Sequence, residues 1–262
     1  MAQRVAPVHP ARVEVPPAPF GRYRPRWWRE VVFVGVLYGL YSLVRNAAPT
    51  QVAAAERNAA GVLRLEHLLR LDIEHHVNSF VAAVPAIAVP ANYYYATLHF
   101  IVTASVLVWL FVARPRDYRA ARTVLLVMTL LALVGYWLFP LAPPRLTPGE
   151  GFVDTVRTFG TWGVAPSAIV ASASNQYAAM PSMHVGWALW SGLTVARYAP
   201  RRTVRALGLA YPVATLLVVV ATGNHFVLDA VGALLVFGVA TVVAGWLDRL
   251  PPDASRADPL AS

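Results

Sequence analysis

"TVLLVMTLLALVGYWLFPLAPPR" (residues 123–145) holds no charged side chain until its last residue. A helix needs about 20 apolar residues to cross a bilayer, and this run stops at three prolines followed by Arg145. It is one of several such blocks in a chain of 262 residues that is 57% hydrophobic and only 13% charged. Apolar periodicity predicts six helices, at 30–47, 93–113, 121–140, 182–198, 204–222 and 225–247. The fold class expected is therefore all-α: a polytopic membrane protein, a six-transmembrane-helix bundle over residues 30–247. A basic, Pro- and Arg-rich segment, 1–29, precedes it and a second polar tail, 248–262, follows. Both read as disordered. The chain has no cysteine, which excludes disulfides and thiolate chemistry.

The net charge of +9 comes from 22 basic residues, all of them arginine. Sixteen lie before the first helix, in "ARPRDYRAAR" (113–122), in "RYAPRRTVR" (197–205) and after residue 248. Six lie in the alternate loops: Arg45, Arg57, Arg64, Arg70, Arg145 and Arg157. The positive-inside rule then puts both termini in the cytoplasm, in a multi-pass protein of the cell membrane. The charge marks topology and anionic headgroups, and no nucleic-acid partner is expected. A basic start, the apolar run 31–44 and "VAAA" (52–55) also have the parts of a signal peptide, but the basic region is unusually long and Tyr and Gly dilute the apolar one. Cleavage there would remove one helix and leave the orientation of the others unchanged.

Two segments between helices are too polar or too broken to span. Residues 53–80 are amphipathic, with Val62, Leu65, Leu69 and Ile73 at helical spacing and Glu66 and Arg70 four apart as an ion pair, so the segment is expected on the outer surface. Residues 141–181 form a long outer loop, of a length that is uncommon and often functional.

Three separated stretches deliver polar residues to that same outer face. Arg145 follows helix three. Ser182 and His184, in "NQYAAMPSMHVGWALW" (175–190), open helix four. "GNHFVLD" (223–229) opens helix six. Ionisable groups at membrane depth are costly and by default point to function. These types suit phosphoryl transfer. His225 and Asp229, four apart, can hydrogen-bond, which fixes the imidazole tautomer and frees the other ring nitrogen to attack phosphorus. His184 can act as general acid and base. Arg145 offers a bidentate fork to phosphate, and Ser182 with the free amides of a helix start makes an anion site. Taken singly, each has a plainer reading. Ser182 could be only an N-cap, Asp229 a charge favoured by the helix dipole and His99 a packing residue. His75 and His76 lie on the surface segment, and Asp154 and Arg157 carry little motif signal. Convergence of all three stretches on one face favours the catalytic reading.

These residues also resemble a known family. "PSMH" (181–184) looks like the second motif, and "HFVLD" (225–229) the third, of the type 2 phosphatidic-acid phosphatase superfamily. The resemblance covers about residues 30–247. It implies a phosphohistidine intermediate on His225, oriented by Asp229, with His184 as acid and base, and no metal or other cofactor. Two departures are informative. Only Arg145, in "PLAPPR", can fill the first motif, and Val218 and Val219 stand where a Ser-Arg pair usually precedes the third. Both departures resemble the inositol phosphorylceramide synthase-like, or inositolphosphotransferase, branch. That branch implies transfer of a phosphorylated headgroup from a membrane lipid phosphate to a lipid acceptor; with water as acceptor the same site is a phosphatase. The rival without catalysis is a b-type haem protein with His99, His184 and His225 as axial ligands. A transporter would call for a duplicated, interrupted helix pair, which the sequence lacks.

Overall fold

The computed structural model describes residues 26–47, 51–161 and 175–249. The two predicted tails lie outside the described residues except at their inner edges. The described chain is helical, with a single isolated bridge between Leu141 and Ala178. Helix α1 (Trp27–Ala47) is followed by α2 (Val52–Leu69), α3 (Glu74–Ala82) and α4 (Pro85–Tyr93). A π-helical turn (Tyr94–Leu98) joins α4 to α5 (His99–Ala113), and α6 (Pro115–Leu138) comes next. After a single turn, α7 (Thr155–Thr158), come α8 (Met183–Tyr198), α9 (Arg202–Ala221) and α10 (Val227–Leu247).

Four stretches are long and apolar enough to cross a membrane: Pro85–Ala113, α6, α9 and α10. A fifth candidate is α1 together with α2, which are bent by 97° relative to each other. The chain is thus an all-helical, multi-pass membrane protein with four or five candidate spans. Two helices start earlier than their apolar pattern. Pro85 and Pro115 each occupy the first helical turn, where the missing N–H costs nothing and the fixed φ suits the helix. In α6 this adds "PRDYRA" as a charged first turn and a half, which carries the helix beyond its apolar length.

At the centre stands α8, packed against α5, α6, α9 and α10. Trp187 and Trp190 join Leu110, Met128 and Ala132 in the main core, and the Trp190 indole donates to Ala121 O at 2.8 Å. Around this core the pattern is inverted relative to a soluble protein. Leu130, Val134 and Leu138 of α6, and Leu234, Leu235 and Val242 of α10, are exposed. Apolar side chains facing outward along full helices are what a hydrocarbon solvent requires.

The arginine-rich segments meet at one end of the bundle. Glu30, in the first turn of α1, accepts hydrogen bonds from Tyr118 and Arg122 of α6, and Arg114 donates to Tyr198 O at the end of α8. The opposite end gathers the C-terminus of α1, the loop after α6 and the starts of α8 and α10. There Arg45 donates to Asn175 O, and Leu141 N donates to Tyr177 O.

The amphipathic segment differs from expectation. It is two helices, broken after Leu69 where Arg70 adopts φ +56°. Its buried face is Ala55, Ala59, Val62, Leu63 and Glu66, while Leu65, Leu69 and Ile73 are exposed. Glu66 does not pair with Arg70; it accepts from Leu228 N of α10 at 2.7 Å. The physical reason is that orphan amides at a buried helix start need an acceptor more than an exposed arginine needs a partner.

Candidate functional site

His225 lies just before α10, not on it. Gly223 makes the turn that places it there, at φ +68°, with Asn78, Arg145 and Val153 crowding the position a Cβ would occupy. Phe226 is the N-cap, and Asp229, at the third helical position, reaches back so that its Oδ2 accepts from Phe226 N at 3.0 Å. The same Oδ2 meets His225 Nδ1 at 2.9 Å. The two residues therefore meet as expected, through the turn before the helix rather than across one helix face. Both are buried. With Nδ1–H donating to the carboxylate, Nε2 is left as the basic nitrogen.

Ser182 N donates to the backbone oxygen of Asp229 at 3.1 Å, which pins the start of α8 to the start of α10. As N-cap, Ser182 accepts from Val185 N through Oγ at 3.4 Å, and its side chain is fully buried. Its hydroxyl oxygen thus caps the helix start through one lone pair, and the O–H remains as a donor. This geometry holds His184 with its ring centroid 5.5 Å from that of His225.

The walls of the site come from elements that carried no clear signal in the sequence. Tyr95, on the π turn, stacks on His184 with centroids 4.2 Å apart, and the His99 ring is also 4.2 Å away. π turns are frequent at functional sites because the extra residue redirects side chains out of the helical register. His99 continues the contact to Trp187. Arg45, in the last turn of α1, sits over the Tyr136 ring and within electrostatic reach of His184. The sequence offered Arg45 only as one charge of an outer loop.

Arg145 is held on three sides. Its backbone N donates to Gly223 O at 2.9 Å, its Nε to Asn224 Oδ1 at 2.9 Å, and its Nη1 to Gln176 Oε1 at 3.1 Å and Asp154 Oδ2 at 3.3 Å. A guanidinium fixed this way beside the turn that carries His225 is oriented before any ligand arrives. Asp154 thereby acquires a role, and it also caps α7 by accepting from Arg157 N. His75 packs against Phe152. The predicted residues His184, His225, Asp229, Arg145 and Ser182 all gather at this end of the bundle. Among the described residues, no group of three or more His, Asp or Glu side chains is arranged to hold a metal ion.

No curated protein and no solved structure matches the chain. A family model described as the PAP2 superfamily does match, over residues 60–243, which takes in every helix from α3 to α9, most of α2 and α10, and all five predicted site residues. Several apolar helices and that match together make this a membrane phosphatase-like protein, and the chain belongs to the PAP2 superfamily.

Proposed function

We propose that the chain is an integral membrane phosphotransferase, acting on a phospholipid or lipid-linked phosphate through a phosphohistidine intermediate. The observation that carries this is the His225–Asp229 hydrogen bond with the His184 ring facing it, in a member of the PAP2 superfamily. His225 Nε2 attacks phosphorus, the bond from phosphorus to the leaving oxygen breaks, and protonated His184 gives its proton to that oxygen. In the second half His184 takes the proton of the acceptor hydroxyl, whose oxygen attacks phosphorus as the P–N bond breaks. Asp229 stabilises the positive charge that His225 carries in between. Arg145, Ser182 and the first-turn amides of α8 bind the phosphoryl oxygens.

The site lies on the extracytoplasmic face, with both termini in the cytoplasm and α1 and α8 completing six crossings. This rests on the arginine-poor character of the end where the site gathers. Helix α8, at about 1.5 Å per residue, spans about 24 Å against a hydrocarbon core of about 30 Å, so His184 at its start lies just inside the hydrocarbon edge, beneath the headgroups. Transfer to a lipid hydroxyl, as in inositolphosphotransferases, is favoured over hydrolysis by the departures in the first and third motifs. The second reading, a lipid phosphate phosphatase with water as acceptor, uses the same steps. Axial ligation by His99 and His184 together fits poorly, because rings 4.2 Å apart leave no room for a porphyrin between them.

Product analysis tests the reading. Purified protein is incubated, without added metal, with headgroup-labelled phosphatidylinositol, a diacylglycerol of distinct acyl chains and simple lipid phosphates. We expect the labelled headgroup on the acceptor by mass spectrometry. Free phosphate alone would make it a phosphatase, and no product from any donor would sink both readings. Arg145→Lys is expected to raise KM about tenfold or more with a smaller change in kcat, since a point charge cannot replace a planar fork held on three acceptors. An unchanged KM would remove Arg145 from the phosphate site.

A further inference from the structure

Three carboxylates surround the first turn of α10. Besides Asp229 on Phe226 N, Glu74 Oε1 accepts from Val227 N at 2.9 Å and Glu66 Oε1 from Leu228 N at 2.7 Å. Consecutive orphan amides of one helix start are thus satisfied by acids from three different helices. All three side chains are buried, and each keeps one oxygen with no hydrogen-bond partner among the described residues: Glu66 Oε2, Glu74 Oε2 and Asp229 Oδ1. Three full negative charges this close, out of water, are untenable. The helix dipole supplies only about half a positive charge, and His225 is paired with Asp229. Glu66 and Glu74 take adjacent amides of one helix turn and are in side-chain contact, so one proton between them removes a charge and supplies an O–H donor to a pair whose Oε2 atoms have none.

We propose that Glu66 and Glu74 form a single acid pair sharing one proton, and that this pair is a positioning device for the His225–Asp229 couple. Its role in turnover rests on the phosphohistidine reading; the shared proton does not. The pair clamps α2 and α3 onto the start of α10, so His225, one residue before the N-cap, is held against a fixed frame. One remaining negative charge beside Asp229 also favours a positively charged His225 ring in the intermediate.

The groups facing the pair are Glu66 and Glu74 themselves and Asp229, with His225 behind it. Burial, reinforced by the neighbouring Glu74 and Asp229, pushes the Glu66 carboxyl well above the ordinary carboxylate range. A pKa raised on folding means the folded state holds the proton where the unfolded chain has lost it. The contribution to stability is therefore full below the ordinary carboxylate pKa, declines as pH rises, and is gone above the raised one.

Three proteins measured in detergent test this. Glu66→Gln keeps the acceptor for Leu228 N and replaces the shared proton with an amide N–H, so it should fold and turn over like wild type. Its melting temperature should fall less than that of wild type between about pH 5 and about pH 10. Parallel melting curves for the two proteins would refute the shared proton, whatever the substrate proves to be. Glu66→Ala removes the acceptor and should lower kcat about tenfold with KM nearly unchanged, a loss of placement rather than of binding. Wild-type kcat in folded Glu66→Ala, or Glu66→Gln failing as badly as Glu66→Ala, would overturn the positioning role.

Discussion

Replacing His225 by alanine should abolish turnover, with a loss of at least about 10⁴-fold in kcat, and should also abolish covalent capture of phosphate. The second readout separates a nucleophile from a general base. With a phosphorus-labelled donor, wild-type protein quenched in alkali should retain label on an imidazole nitrogen, and His225→Ala should retain none. His184→Ala should behave differently. It keeps the nucleophile but loses the acid that protonates the leaving oxygen, so a donor with a good leaving group should still label it. Asp229→Asn should fall between the two. An amide can still hold Nδ1, but it cannot offset the imidazolium charge, and loss of a comparable aspartate elsewhere costs about 10⁴-fold. Labelled His225→Ala, or label on His184 in the wild type, would reverse the assigned roles. The substitution itself is mild for the fold. His225 lies in a turn whose frame is set by the Gly223 backbone and by acids on the Phe226, Val227 and Leu228 amides.

The sequence exposed those parts of the site whose chemistry is local. His225 and Asp229 are four residues apart, and Ser182 and His184 are two apart; short chain distance forces them together whatever the tertiary structure does. Arg145 could be assigned to the same end because membrane crossings alternate. The spans were legible for a similar reason, since hydrocarbon demands long apolar runs. Contacts set by the third dimension were hidden. Glu66 has Arg70 four residues on, a spacing that reads as a solvated pair, yet its partner is 162 residues away at Leu228. Tyr95 sits in an unremarkable apolar stretch and His99 read there as a packing residue or a haem ligand, and only the π turn directs them both at His184. Arg45 reaches the site because α1 ends where α8 begins, a fact of packing that no spacing encodes. A buried acid on an otherwise apolar helical face was the available signal. Ala55, Ala59, Val62 and Glu66 recur at helical spacing, and the glutamate breaks the pattern where a partner is required.

Gly192→Ala should be the most damaging single-methyl change in the bundle. A Cβ on Gly192 would run into Gly208 O and stand 2.9 Å from Pro212 Cδ, and the reciprocal Cβ on Gly208 would stand 2.8 Å from Gly192 O. The backbones of α8 and α9 touch here, so no flexible side chain can give way and the helices themselves must part. Close backbone approach through small residues is how helices associate in lipid, where hydrophobic burial offers no drive between them. Forcing atoms into such a contact costs about 1–3 kcal/mol or more, a large share of a marginal stability. Because α8 carries His184 at its start and is tied to α10 through Ser182 N, the shift should also reach the histidine pair. We expect Gly192→Ala to melt several degrees lower in detergent and to lose activity in proportion to the displaced helix. Gly238→Ala is the matched control. It lies in α10 with nothing within 4 Å of a Cβ, so it should be neutral or slightly stabilising, by up to about 1 kcal/mol from helix propensity. Equal melting temperatures for the two variants would mean that α8 and α9 do not meet at these glycines, and that the recess holding His184 is built some other way.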